Sequence, residues 1–106
     1  MELNKKKCVP CEAGMPPMNR EEIEKYSKLV AGWGLKNGKL YRSFKFKDFK
    51  ETLKFVNKVG EIAEKEGHHP DIYFTWGKCT IELYTHAIKG LSENDFILAA
   101  KIDKIK

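Results

Sequence analysis

The sequence contains no glutamine and only two arginines, Arg20 and Arg42. Proteins that read base edges in the major groove do so largely with Arg, Asn and Gln, so a sequence-reading helix lacks its usual donors here. Positive charge is present, at a formal net +5, but nearly all of it is lysine. The lysines alternate with acids along most of the chain, and only Lys5–Lys7 and residues 101–106 form local runs. This pattern reads as a solvated surface rather than a basic stripe, and no nucleic-acid partner is expected. Long apolar runs are also missing; none approaches the length of a membrane span. Met1–Lys7 is polar and lysine-rich with no apolar segment behind it, unlike a secretory signal or an anchor. No membrane partner is expected, and a cytoplasmic location is. Cysteine is scarce and odd in number: Cys8 and Cys11 form one C-x-x-C, and Cys79 lies far away. A structural zinc site needs a second such pair or two nearby histidines. The pair precedes no βα unit of the thioredoxin kind, so these cysteines read as free thiols.

What is there is enough for one domain. At 106 residues, with 42% hydrophobic and 33% charged residues, the chain can bury a core of its own but has no room for a second. Residues 1–18 carry Pro10, Gly14, Pro16 and Pro17 without periodicity and read as an irregular arm; residues 19–106 form the domain. Asn19 and Glu22 have capping-box spacing ahead of Ile23, Tyr26 and Val30. Strand candidates Trp33–Lys36 and Lys39–Phe46 flank Asn37-Gly38, a strong hairpin signal because both turn positions require positive φ. Asp48 and Glu51 repeat the cap pattern before a long helix. Its expected apolar stripe is Phe49, Leu53, Val56 and Ala63, widened by Val59 and Ile62, and Gly67 suits its stop. Asp71–Trp76 and Cys79–His86 suggest a second hairpin across Gly77-Lys78. Ser92 then caps a last helix, with Asp95 at its third position and Phe96, Ala99 and Ala100 on the buried side. The order helix-strand-strand-helix-strand-strand-helix predicts an α+β fold: a four-stranded antiparallel sheet with three helices on one face.

All three histidines fall between positions 68 and 86. His68 and His69 leave a helix C-terminus, His86 is expected at a strand end, and Glu64 lies four residues before His68. Pro70 pushes His69 towards an extended backbone, where neighbouring side chains diverge. Three readings compete. The histidines are ordinary surface or core residues; or His68, His86 and Glu64 or a Cys hold a metal, for which an adjacent His pair is awkward; or they do general acid–base work, for which an imidazole titrating at about pH 6.5 is suited.

The run Glu64-x-x-x-His68-His69-Pro70, with Trp76, His86 and Asp95 at their spacings, resembles the signature of the pterin-4a-carbinolamine dehydratase family. Thr85-His86, Gly90-Leu91-Ser92-Glu93-x-Asp95 and Gly32-Trp33 extend the resemblance over residues of about 19 to 104. It implies an enzyme, 4a-hydroxytetrahydrobiopterin dehydratase, that removes water from a 4a-hydroxytetrahydropterin to give a quinonoid dihydropterin. His68 and His86 would transfer protons and His69 would hold the substrate. Glu64 would orient the pterin ring and its histidine, with no metal and no organic cofactor. Trp33 is carried over as an aromatic wall for the pterin, against its reading as core. Asp95 supports the site or merely caps its helix, and Pro70 is a further support. The resemblance also implies the same three-helix, four-strand fold and a homodimer or homotetramer. A dimerisation-partner role of animal relatives and a different pterin substrate are its alternatives.

Overall fold

A computed structural model describes residues 3–8 and 16–105. Helix α1 (Arg20–Ser27) begins at Asn19, whose Oδ1 accepts from the Glu22 amide at 2.9 Å while Glu22 Oε1 accepts from the Asn19 amide at 3.0 Å. The two orphan donors of the helix start are thereby satisfied reciprocally. A 3₁₀ turn over Lys28–Val30 carries the chain to β1 (Gly34–Lys36) and β2 (Lys39–Lys45). Asn37 and Gly38 join them at φ 53° and 75°, the positive values that a tight hairpin of this hand needs. Helix α2 (Phe49–Glu66) starts under the Asp48 carboxylate, which accepts from the Glu51 amide at 2.8 Å. It stops at Gly67, which adopts the left-handed conformation with φ 67°. Strands β3 (Asp71–Thr75) and β4 (Lys78–Leu83) and helix α3 (Glu93–Asp103) complete the chain.

The sheet is antiparallel with strand order β1-β2-β4-β3, so β1 and β3 are its edges. Leu40 opposes Leu83, Arg42 opposes Ile81 and Phe44 opposes Cys79. The apolar members of these pairs are buried and form one core with Phe55, Val59 and the α3 residues Phe96, Ile97, Leu98 and Ile102. Arg42, the polar exception on this face, lays its guanidinium over the Phe44 ring and pairs with Asp103 at 2.8 Å.

Three expectations are corrected. The buried stripe of α2 is Thr52, Phe55, Val59 and Ala63, while Phe49 and Leu53 are 45% and 40% exposed. Thr52 is drawn inward because its hydroxyl lies 2.9 Å from the Asp48 carbonyl and 3.0 Å from that of Trp76, tying the helix start to the second hairpin. That hairpin turns at Trp76-Gly77, since Thr75 already pairs with Lys78. Gly77 is needed for close approach: a Cβ there would sit 2.9 Å from the Phe46 carbonyl oxygen. Strand β4 ends at Leu83, not His86; Thr85 makes a lone bridge to Gly90, and His86 opens a 3₁₀ turn over His86–Ile88. Beyond these, residues 3–8 of the N-terminal arm dock onto the domain. Leu3–Lys5 form a 3₁₀ turn with Leu3 buried in the core, and Lys101 Nζ donates to the Asn4 carbonyl at 3.0 Å. This cover is why α3 is buried on nearly every side. Cys8 belongs to the docked segment, whereas Cys11 and the rest of residues 9–15 lie outside the described residues.

Candidate active site

The ends of three elements meet at the start of α3. Gly67 turns the chain out of α2, and the next residue, His68, points its ring at α3. His68 Nε2 lies 2.6 Å from Asp95 Oδ1, with the His68 side chain 12% exposed and Asp95 fully buried. Asp95 Oδ2 accepts from the Ser92 amide at 3.0 Å and from the Thr85 hydroxyl at 2.8 Å. Thr85 Oγ1 in turn lies 2.9 Å from Ser92 Oγ. Asp95 therefore does both things the sequence allowed for it. It caps its helix and holds an imidazole. A carboxylate in the first turn is also favoured by the positive end of the helix dipole.

The two adjacent histidines diverge. His69 Nε2 is 2.5 Å from Glu64 Oε2, and both groups stand in solvent. The sequence spacing placed Glu64 behind His68. The left-handed Gly67 breaks the helical register, so Glu64 reaches His69 instead. His86 is exposed beside Thr85, with its ring edge-on to Tyr84 at 5.1 Å. His68 and His86 are thus linked by a short path: His68 to Asp95, Asp95 to Thr85, and along the backbone to His86. Pro70 is half-buried at the entry to β3.

Trp33 stands apart from this cluster. It is 6% exposed, packs edge-on against Phe44, and donates Nε1–H to Asp103 Oδ1 at 2.9 Å. Asp103 is eight residues beyond Asp95 on α3, about 12 Å along the axis. In this chain Trp33 is a core residue that ties β1 to the far end of α3. Among the described residues no three His, Cys, Asp or Glu side chains converge as a metal set would.

The docked segment braces both elements that make the site. The Cys8 amide donates to Glu66 Oε1 at 2.9 Å, at the end of α2. Lys6 Nζ and the Tyr26 hydroxyl each donate to Glu93 Oε2 at 2.8 Å, at the start of α3. Burial would raise the Glu66 carboxyl, but the Cys8 amide and the Lys101 and Lys7 charges outweigh it and hold it below the usual range. The Lys6 hydrogen bond, with that of Tyr26, lowers Glu93 against its own burial. Burial pushes the Cys79 thiol up to about 11, which leaves it inert as a nucleophile near neutrality.

Thr85 and Ser92 were not legible as site residues. Ser92 reads as a helix cap, and both residues lie within the phrases that carry the family resemblance, but neither is given a role at the site. The available signal was their spacing from Asp95, which lets one carboxylate collect both.

Comparison with known proteins bears on the family. A family model described as "Pterin 4 alpha carbinolamine dehydratase" matches residues 16–105. The chain belongs to this family. A protein of Rubrobacter xylanophilus named as a pterin-4-alpha-carbinolamine dehydratase is 50% identical, covering 98% of each chain. A protein of the same name from Alkaliphilus metalliredigens is 54% identical over 96% of this chain and 94% of its own. Among solved structures, a Brucella melitensis protein titled "transcriptional coactivator/pterin dehydratase" superposes with a TM-score of 0.80 at 30% identity. The match covers 84% of this chain and 97% of that one. As a family member the chain is a dehydratase, a carbon–oxygen lyase.

Proposed function

We propose that the protein removes water from a 4a-hydroxytetrahydropterin, giving the quinonoid dihydropterin, with His68 and His86 as the proton-transfer groups. The C4a hydroxyl leaves as water only if it gains a proton. As the carbon–oxygen bond breaks, the adjacent ring nitrogen forms a double bond to C4a and gives up its own proton. One acid and one base suffice, and atoms and charge balance without a metal or an organic cofactor. The observation that carries this reading is the His68–Asp95 pair: an imidazole fixed by a buried carboxylate, which also holds Thr85, the sequence neighbour of a second, exposed imidazole. His69, paired with Glu64 at the surface, binds the pterin. This work would recycle the reduced pterin left by aromatic amino-acid hydroxylation.

The sheet edge bears on assembly. Phe74 of the β3 edge and Trp76 in the turn that follows are 40% and 65% exposed, and Phe74 stacks on the exposed Phe49 of α2 at 6.1 Å. Leu53 extends the same apolar surface. An exposed edge strand beside apolar side chains is a template for pairing, and a homodimer or homotetramer covers it. Among the described residues no helix is long and apolar enough to cross a membrane; the site of work we propose is the cytoplasm, on a pterin substrate and without a nucleic-acid or membrane partner.

The test is direct. Enzymatically generated 4a-hydroxytetrahydropterin is supplied and the quinonoid product is followed by absorbance, before and after exhaustive chelation. Saturable acceleration that survives chelation is expected. Absence of acceleration, or its loss with stoichiometric zinc stripped from the protein, would contradict the proposal.

A further inference from the structure

The Asp95 carboxylate collects three partners, and their proton inventory decides more than orientation. Fully buried at the start of α3, it faces the Ser92 amide, the Thr85 hydroxyl and His68 Nε2. The amide can only donate. The Thr85 hydroxyl has one proton, and an ionised carboxylate has none to offer, so Thr85 donates to Asp95. Thr85 Oγ1 must then accept from Ser92 Oγ, since its own proton is committed. The chain of donors runs Ser92 to Thr85 to Asp95. With Oδ2 supplied twice, Oδ1 is left for His68, and that carboxylate oxygen also requires a donor.

From this we infer that Thr85, supported by Ser92, is a positioning residue that locks His68 in its Nε2–H tautomer through Asp95. Nδ1 is then the His68 atom that exchanges protons with the substrate. The inference rests on the dehydratase reading for the identity of that substrate, but not for the tautomer. Nδ1 makes no hydrogen bond to the described residues and is not among the buried, unpartnered side-chain atoms. It is thus the ring nitrogen open to a ligand. In the neutral ring it carries the lone pair that takes the proton from the pterin nitrogen; in the charged ring it carries the proton that the C4a hydroxyl needs.

The experiment has two arms. In the first, long-range ¹H–¹⁵N correlation spectra of uniformly labelled protein assign the His68 nitrogens at a pH where the ring is neutral. A protonated Nε2 and an unprotonated Nδ1 are expected. In the second, Thr85→Val, which keeps the branched shape and removes the donor, is compared with Thr85→Ser, which restores it. Thr85→Val should lower kcat about tenfold, as lost outer partners of a working imidazole do, with KM little changed and the His68 ¹⁵N pattern shifted towards a tautomer mixture. Thr85→Ser should recover both. A protonated Nδ1 in the unmodified protein, or a Thr85→Val variant with unchanged kcat and spectrum, would overturn the inference. If Thr85→Val does not fold, the first arm and Thr85→Ser decide. A protein that shows the Nε2–H pattern but turns over no 4a-hydroxytetrahydropterin would refute the dehydratase reading and leave the tautomer assignment standing.

Discussion

Replacing Asp95 by alanine removes the acceptor for three donors at one stroke: the Ser92 amide, the Thr85 hydroxyl and His68 Nε2–H. Each is in or beside the core, and Asp95 is fully buried, so solvent does not readily replace the lost oxygen atoms. An orphaned buried donor costs about 1–3 kcal/mol, and the lost helix cap about 1 kcal/mol more. These terms overlap, because Ser92 is counted in both and the hydroxyls can re-pair. A total of about 3–5 kcal/mol is the reasoned sum. That is a large part of the ~5–15 kcal/mol by which a domain is stable. With a urea slope of about 1–1.5 kcal/mol/M for a chain this short, the midpoint should fall by roughly 2–5 M. Asp95→Asn keeps an acceptor for two donors and sets an amide against the third, so it should cost only ~1–2 kcal/mol. Urea unfolding followed by circular dichroism, at one fixed protein concentration because assembly adds to apparent stability, checks both. An Asp95→Ala variant within ~1 kcal/mol of the parent would refute the reasoning, because a carboxylate with three real partners cannot be lost so cheaply.

Three further outcomes follow from other contacts. Glu66 and Glu93 have carboxyls held below their unfolded values. The stability they contribute is therefore complete above about pH 4.3 and is lost as pH falls through their lower folded values; Lys6→Met or Lys101→Met should flatten the acid limb of a Tm-against-pH profile, and an unchanged limb would contradict the bracing role. Trp33→Phe forfeits the bond to Asp103 and should cost ~1 kcal/mol in stability while leaving KM for the pterin unchanged; a raised KM with unaltered stability would make Trp33 a substrate wall after all. Trp76→Glu places a charge in the exposed apolar surface beside β3 and should shift sedimentation towards monomer, whereas an unaltered oligomer would place the interface elsewhere.

Much of the architecture is legible from local chemistry. Asn37-Gly38 demands a hairpin because both residues take positive φ, and the Asn19/Glu22 and Asp48/Glu51 spacings mark helix starts because side chains must satisfy orphan amides there. Gly67 marks a stop for the complementary reason. The inner face of α2 was legible only in part: Val59 and Ala63 lie on it as expected, whereas Phe49 and Leu53 do not. Phe49 and Leu53 repeat at helical spacing just as Phe55, Val59 and Ala63 do, and periodicity fixes the period of a helix without choosing between two apolar faces. The choice is made by Thr52, whose hydroxyl serves a carbonyl 24 residues away. Leu3 was missed for a similar reason: a single apolar residue among lysines has no pattern, and only α3, itself apolar on too many sides, shows that something must cover it. At the site, residue types and spacing singled out His68, His69, His86 and Glu64, and the family resemblance added Asp95. Which carboxylate meets which imidazole was decided by Gly67, whose left-handed turn exchanges the partners that a continued helix would have given.

The most direct measurement of the central account is steady-state turnover of separated C4a stereoisomers of 4a-hydroxytetrahydropterin by His68→Ala, His86→Ala and the double variant, with circular dichroism to establish folding. If the two imidazoles transfer protons at opposite faces of the pterin, each single variant should lose on the order of 10²–10⁴-fold in kcat. Each loss should fall chiefly on a different stereoisomer, and the folded double variant should be inactive on both. Equal and small losses on both stereoisomers, or activity retained by the double variant, would show that His68 and His86 do not carry the reaction.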